Sequence, residues 1–203
     1  MVSSAIGSAI SLSWISVKDA SDRRRQRRNT ALELALSLES YARSCRTMMH
    51  KAAWAEAESV RSINGEAVKT VSIPGFSFPE KIQWRAFNRK AISELREYPA
   101  TVHSAREYVE AFREFGDPGD LCRQVEYECA KAAKAALLLA RATRRRHGAA
   151  AWKPGAKDSA LERELADFIA NGEEKRKASL ERRCQLSVIR QSDAQPLNQP
   201  LGA

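Results

Sequence analysis

Apolar residues along most of the chain recur every three or four positions, which is the spacing of one face of an α-helix. One such stripe repeats as heptads and is typical of packed or coiled-coil helices. It consists of Leu34, Leu38, Tyr41, Cys45, Met48, Ala52 and Ala55. A second stripe consists of Val125, Cys129, Ala132, Ala136, Leu139 and Thr143. Both contain small residues, so the two helices are expected to be antiparallel neighbours.

Residues that start and stop helices divide the periodic part of the chain into four segments. Thr30 and Glu33 have the spacing of a capping box, and Pro99 is expected to end a helix. Asp117 followed by proline indicates another start, and Gly148 the corresponding stop. The predicted core helices are 29–63, 79–98, 101–115 and 118–147.

The remaining segments predict a connection, an appended helix and a tail. Residues 65–79 are expected to be an ordered connection whose Phe76 and Phe78 pack against the helices. Residues 156–190 predict an exposed C-terminal helix that begins at Ser159 and is interrupted at Gly172. The fold class is therefore all-α, a helical bundle of about four core helices with a short N-terminal apolar helix. The predicted divisions are 1–17, 18–28, 29–147, 156–190 and a disordered 191–203.

Positive charge is concentrated in two short stretches. The chain carries 34 lysines and arginines against 25 acidic residues, a formal net charge of +9. Residues 23–28 are arginine except for Gln26, and the end of the fourth predicted helix contains Arg141 and Arg144–Arg146. Two such blocks favour a nearby anionic surface, either lipid or nucleic acid.

An apolar segment precedes the first arginine block. Residues 2–17 carry no charge, and Ile6, Ile10 and Trp14 fall on one helical face. Three interpretations remain open: a short signal-anchor, a helix lying in the membrane interface, or a helix packed on the bundle. On the two membrane interpretations, the contact residues are Ile6, Ile10, Trp14, Arg23, Arg24, Arg25, Arg27 and Arg28.

The layout of the first 60 residues resembles that of uncharacterised small bacterial proteins. These share a short apolar N-terminus, an arginine-rich stretch like residues 23–28, and a long alanine-leucine helix like residues 32–42. The resemblance implies no activity.

The sequence contains no recognisable catalytic, cofactor or metal signature. It lacks the glycine-rich phosphate loops, the nucleophile elbow and the zinc-protease helix motif. The four cysteines lack zinc-site spacing and are interpreted as reduced thiols in a cytoplasm-like compartment. They are Cys45, Cys122, Cys129 and Cys184. Asp117 and Asp120 are explained by helix capping. No enzyme activity and no cofactor are therefore expected.

The expected function is a non-enzymatic structural or interaction protein. Its partner would be an anionic membrane surface or an unidentified protein, and its place the cytoplasmic side of the inner membrane or the cytoplasm. The alternative is a soluble nucleic-acid-associated accessory protein that uses the arginine blocks. Residues 101–115 carry more acidic than basic side chains, so no basic reading helix supports this alternative.

Overall fold

The structure is a computed structural model that describes residues 3–61 and 65–193. The side chains of residues 3–16, 115, 179 and 182–193 lie outside this description. In the described ranges all regular structure is helical, which confirms the all-α class. The helices are α1 (Ser3–Arg61), α2 (Glu66–Lys69), α3 (Arg89–Phe115), α4 (Pro118–His147) and α5 (Leu161–Asp193), with a 3-10 turn at Trp84–Ala86.

Helices α1 and α4 form an antiparallel pair at the centre of the core. Glu39 contacts Arg144 and Glu56 contacts Arg123, so residue numbers run in opposite directions along the two helices. The predicted stripes are buried with two exceptions. Met49 is fully buried where Met48 was expected, and Leu139 is only partly buried, between the buried Leu137 and Ala140. Small side chains let the two backbones approach closely. They are Ala31, Ala35, Ala42, Ala52 and Ala55 on α1 and Ala130, Ala133, Ala136 and Ala140 on α4.

The predicted helix start at residue 29 is wrong, because α1 runs without a break from Ser3. Thr30 is buried, and its hydroxyl donates to the Gln26 carbonyl at 3.0 Å, one turn earlier in the same helix. Arginine and glutamine are good helix formers, and residues 18–28 contain no proline or glycine. The apolar segment, the arginine block and the core stripe therefore belong to one helix.

The predicted break at Pro99 is also wrong, because one helix, α3, runs through it from Arg89 to Phe115. The predicted helix start at residue 79 is wrong too, since the only helical element in 79–88 is the 3-10 turn at Trp84–Ala86. Asn88 caps it, with its side-chain oxygen accepting from the Ala91 amide at 2.8 Å. The buried positions keep helical spacing on both sides of the proline, so packing offsets the lost backbone hydrogen bond. These positions are Ala91, Leu95, Tyr98, Val102 and Val109.

The connection between α2 and α3 is ordered, as predicted. Phe76 lies 4.9 Å from Tyr41 and 5.1 Å from Tyr98, measured between ring centroids. The Tyr41 hydroxyl donates to the Pro74 carbonyl at 3.1 Å, and Arg113 donates to the Val71 carbonyl at 2.5 Å. These bonds satisfy carbonyls of an extended segment and hold it across the helices.

The predicted limits of α4 are confirmed. Asp117 Oδ1 accepts from the Gly119 and Asp120 amides at 2.8 and 3.3 Å, which is the expected N-cap. Gly148 follows the last turn in the left-handed region with φ 64°, where glycine carries no steric cost.

Helix α5 was predicted to be exposed, but its first part packs on α4 and buries Leu161, Leu165 and Ile169. Its two predicted boundary signals, Ser159 and Gly172, are also wrong. Ser159 does not cap it, because the Ser159 hydroxyl donates to the Ala156 carbonyl and the helix begins at Leu161. Gly172 lies inside the helix, where a Cβ atom would be 2.5 Å from the Tyr127 ring. That glycine permits close approach to α4 and does not interrupt the helix. Residues 191–193 continue α5, and the rest of the predicted tail lies outside the described residues.

Candidate anionic-surface site

The five arginines of the first block are exposed on α1. Arg23, Arg24, Arg25, Arg27 and Arg28 make no ion pair with any described residue. At about 100° per residue they cover an arc of roughly 200° around the helix. The block is therefore a collar of positive charge that makes no ion pair within the described part of the chain.

Arg144 of the second block is buried and paired. Its Nε and one terminal nitrogen donate to the two carboxylate oxygens of Glu39 at 2.7 and 2.9 Å. The other terminal nitrogen donates to the Ala150 carbonyl at 2.7 Å. The two side chains are 7% and 2% exposed, so this bidentate pair is part of the core and not of a surface.

Two further arginines of this block are paired at the surface. Arg146 contacts Glu94 of α3, and Arg141 contacts Glu162 of α5. The hydrogen bond from Arg146 holds the pKa of the Glu94 carboxyl below its ordinary value. Arg145 is exposed and makes no ion pair with a described residue. The second block therefore presents much less free charge than its sequence suggests.

The antiparallel packing brings both blocks to the same end of the helix pair. A groove of about 740 Å³, the His147 groove, is lined by Arg24, Arg25, Arg27, Arg28, Arg146 and His147 and by no acidic side chain. The His147 ring lies edge-on to Phe87, with centroids 4.4 Å apart. Burial, followed by the charges of Arg27 and Arg146, lowers the pKa of His147. The neutral form of the imidazole is thus favoured beside the arginines.

A second groove of about 680 Å³, the Trp84 groove, lies on the other side of the collar. Arg23 and Arg27 of α1 face Arg85 of the 3-10 turn and Arg96 of α3 across it. The indole of Trp84, the buried Ile82, Ala86 and two glutamines complete the lining, again without a carboxylate. The collar therefore lies between two grooves that are both positively charged.

Three of the predicted contact residues, Ile6, Ile10 and Trp14, have side chains outside the described residues. The backbone around them is helical and continuous with the collar. Val17, the first side chain that is described, is 65% exposed. The structure therefore brings the five arginines together, and the three apolar residues are carried on the same helix.

The histidines outside the grooves contact glutamate side chains. His50 contacts Glu164 at 2.7 Å, so it does not face Cys45, as a nucleophile–base pair would require. His103 contacts Glu107 at 3.3 Å, with both side chains more than two-thirds exposed. Neither contact assembles catalytic geometry.

The buried cysteines lie in two separate places. Cys129 lies within hydrogen-bonding reach of Cys45 inside the α1–α4 contact, and that bond together with burial raises the pKa of Cys129. Burial also raises the pKa of Cys122, to about 11. All three described cysteines are free thiols. The raised pKa values of Cys122 and Cys129 make these two thiols poor nucleophiles.

Sequence reasoning missed Glu39, Arg144 and the residues that close the Trp84 groove. A signal for the first two was present: Arg144 continues the apolar row Ala133, Leu137, Ala140 at helical spacing. A charged residue on such a row is expected to meet an opposite charge. Trp84, Arg85 and Arg96 had no comparable signal, because they meet the collar only where the 3-10 turn contacts α1 and α3 packs on α4.

The described part of the chain holds no group of three or more His, Cys, Asp or Glu side chains placed to bind a metal ion. None of its helices combines the length and the hydropathy that crossing a bilayer requires. Comparison with protein-family models, with curated proteins and with solved structures finds no match for the chain.

Proposed function

We propose that this protein is a non-enzymatic structural or interaction protein that attaches to an anionic membrane surface through the N-terminal half of α1. The observation that carries the proposal is the unpaired arginine collar, residues 23–28, on the same continuous helix as residues 3–17 of the apolar segment. An apolar stretch followed by basic residues suits the boundary between acyl chains and anionic headgroups. The proposed surface is the cytoplasmic face of the inner membrane.

The shape of the collar favours a surface that surrounds the helix. Its five arginines span about 8 Å of helix length, close to the screening length of roughly 8 Å at physiological salt. Because the arginines cover an arc of roughly 200°, a flat partner alongside the helix could contact only some of them. A headgroup layer that surrounds the end of the helix could contact all five. At about 1 kcal/mol for each basic residue, the collar contributes about 5 kcal/mol.

The packed helices provide the body that this attachment holds at the surface. In this proposal they form a bundle, and the apolar N-terminal part of α1 extends from it toward the membrane. The buried Glu39–Arg144 pair joins α1 to α4 at the collar end of the bundle. When α1 is fixed at the membrane, the helices packed on it are therefore fixed in the same orientation.

A second candidate function is association with nucleic acid. The observation that favours it is the Trp84 groove, where an indole lies among four arginines. Aromatic and arginine side chains together form the stacking platforms of single-strand binders. The internal pairing of Arg141, Arg144 and Arg146 weighs against it, because those cations are already neutralised.

Sedimentation of the full chain with lipid vesicles tests the proposal. We expect binding to vesicles containing phosphatidylglycerol and little binding to phosphatidylcholine alone. Replacing Arg23, Arg24 and Arg25 together by Gln should weaken binding by about two orders of magnitude, at about 1 kcal/mol for each charge. Trp14→Ser should weaken it further by removing buried apolar area.

A matched control removes the same charge elsewhere. Arg61, Lys134 and Lys177 are exposed, make no ion pair with described residues, and lie away from the collar. Their replacement by Gln should leave vesicle binding within about threefold of wild type. Equal losses of vesicle binding in the two triple variants would mean that net charge alone, and not the position of the collar, determines binding. Submicromolar binding to DNA at physiological salt, unaffected by Trp14→Ser, would make nucleic-acid association the correct function.

A further inference from the structure

The Trp84 groove has the features of a specific anion site. Three elements build it: α1 supplies Arg23 and Arg27, the 3-10 turn supplies Trp84 and Arg85, and α3 supplies Arg96. The four guanidinium groups make no ion pair with described residues. The carboxylates that neutralise the second arginine block have no counterpart here.

Arg96 is held in place by an aromatic cluster. Its guanidinium carbon lies 5.0 Å from the centre of the Trp84 ring, a cation–π contact. Trp84 packs edge-on against Phe78, with centroids 5.8 Å apart, and Phe78 packs on Phe76 at 4.8 Å. Phe76 in turn contacts the buried Tyr41. The indole therefore restricts the exposed Arg96 side chain, so less side-chain entropy is lost when it binds an anion.

The groove also combines charge with an apolar floor. Ile82 is buried and Trp84 half-buried, so a ligand anion would lie against a surface of low polarity where its attraction to the arginines is strengthened. Guanidinium groups match the oxygens of a phosphate by paired hydrogen bonds, and several of them match a dianion better than a monoanion. Gln26 and Gln83 add neutral hydrogen-bonding groups to the rim.

We propose that the Trp84 groove binds a phosphate monoester, with Arg96 fixed by Trp84 and converging with Arg23, Arg27 and Arg85 on the dianionic group. The same chemistry is offered by a free phosphorylated small molecule and by a lipid headgroup that exposes a monoester. The site stands independently of membrane attachment, because the collar attracts any anionic lipid whereas the groove selects the monoester.

Calorimetric titration of the full chain with glycerol 3-phosphate tests the site, with the diester glycerophosphocholine as the reference ligand. We expect measurable binding of the monoester and at least tenfold weaker binding of the diester. Arg96→Gln and Trp84→Leu should each weaken monoester binding about tenfold. Arg106→Gln is the control, since Arg106 is exposed on α3 and does not line the groove. Circular dichroism checks that each variant is folded.

A second experiment, with lipid vesicles, distinguishes a lipid headgroup from a soluble ligand as the source of the phosphate monoester. Phosphatidic acid replaces phosphatidylglycerol at equal surface charge. Arg96→Gln should abolish any preference for phosphatidic acid while weakening binding to phosphatidylglycerol by no more than about fivefold, the effect of one basic residue. Monoester binding without that preference assigns the site to a soluble ligand. Loss of all vesicle binding with monoester binding intact refutes only the membrane proposal. Equal affinity for monoester and diester, or an equal loss in Arg106→Gln, overturns the site, as does binding of DNA that depends on Arg96 with no monoester preference.

Discussion

The two arginine blocks lie at the same end of the α1–α4 pair, yet they are held in opposite ways. In residues 23–28 five guanidinium groups point into solvent and contact no carboxylate among the described residues. In the second block Arg144 is buried against Glu39, and Arg141 and Arg146 are paired at the surface. A run of arginines in a sequence can therefore form either a free charged surface or a set of intramolecular ion pairs. Which of the two forms depends on the carboxylates of the facing helices.

The difference follows from what each block packs against. The collar precedes Thr30, where the buried face of α1 begins, so its side chains meet little protein. The second block ends α4 inside the bundle, where α1, α3 and α5 each supply one carboxylate. A charge taken out of water needs such a partner. Charge on the collar is therefore available to a ligand, and charge on the second block is available mainly to the fold.

The largest expected effect separates the blocks by stability. Arg144→Gln leaves the Glu39 carboxylate buried without its partner, which should cost about 3–5 kcal/mol of the free energy of unfolding. Arg25→Gln should change it by less than about 0.5 kcal/mol, because the side chain is exposed and unpaired. Urea denaturation followed by circular dichroism measures both.

A double variant guards against Arg144→Gln failing to fold. Glu39→Leu combined with Arg144→Met replaces the ion pair by apolar side chains of similar size, and stability should return to near that of the wild type. If the double variant is as unstable as Arg144→Gln, the pair is not the source of the loss. If Arg25→Gln is as costly as Arg144→Gln, the contrast between the blocks does not exist.

A smaller effect is expected from turning a paired arginine into a free one. Glu94→Gln removes the carboxylate that holds Arg146, so this cation becomes available to the His147 groove. Binding to phosphatidylglycerol vesicles should strengthen by about fivefold, from roughly 1 kcal/mol for one more basic residue. Glu107→Gln is the control, since it removes the same charge from an exposed position on α3. An equal gain in both variants would indicate net charge alone.

Much of the fold could be predicted because its signals are local. Asp117, Pro118 and Gly148 fix the ends of α4 through capping geometry that depends only on neighbouring residues. Pro99 was misleading because the proline rule is local while helix stability comes from packing. The spacing of Ala91, Leu95, Tyr98 and Val102 continues through it, which was the better signal. Thr30 misled for the same reason, since a capping residue also occurs within helices.

The candidate site was predictable only in part. The exposed collar follows from five arginines with no apolar residue among them. Its neighbours Trp84 and Arg96 come from distant parts of the chain, and no pattern in the sequence relates them to Arg27. The pairing of Arg144 with Glu39 required knowing the register of α1 against α4, which depends on the packing of many small side chains at once.

The smallest expected effect measures whether charge on the collar reaches the second block. His147 has a lowered pKa, first through burial and then through Arg27 and Arg146, so the unfolded chain takes up its proton more readily than the folded one. This histidine therefore lowers stability as the pH falls below the ordinary histidine pKa of about 6.5.

Arg27→Gln should raise the pKa of His147 only part of the way back to that value, because burial remains. Proton NMR titration measures it, with the signal assigned by His147→Gln. Arg61→Gln, at the far end of α1, should leave it unchanged. An unchanged pKa in Arg27→Gln would mean that burial alone lowers it, and that the two blocks, although adjacent, are electrostatically independent.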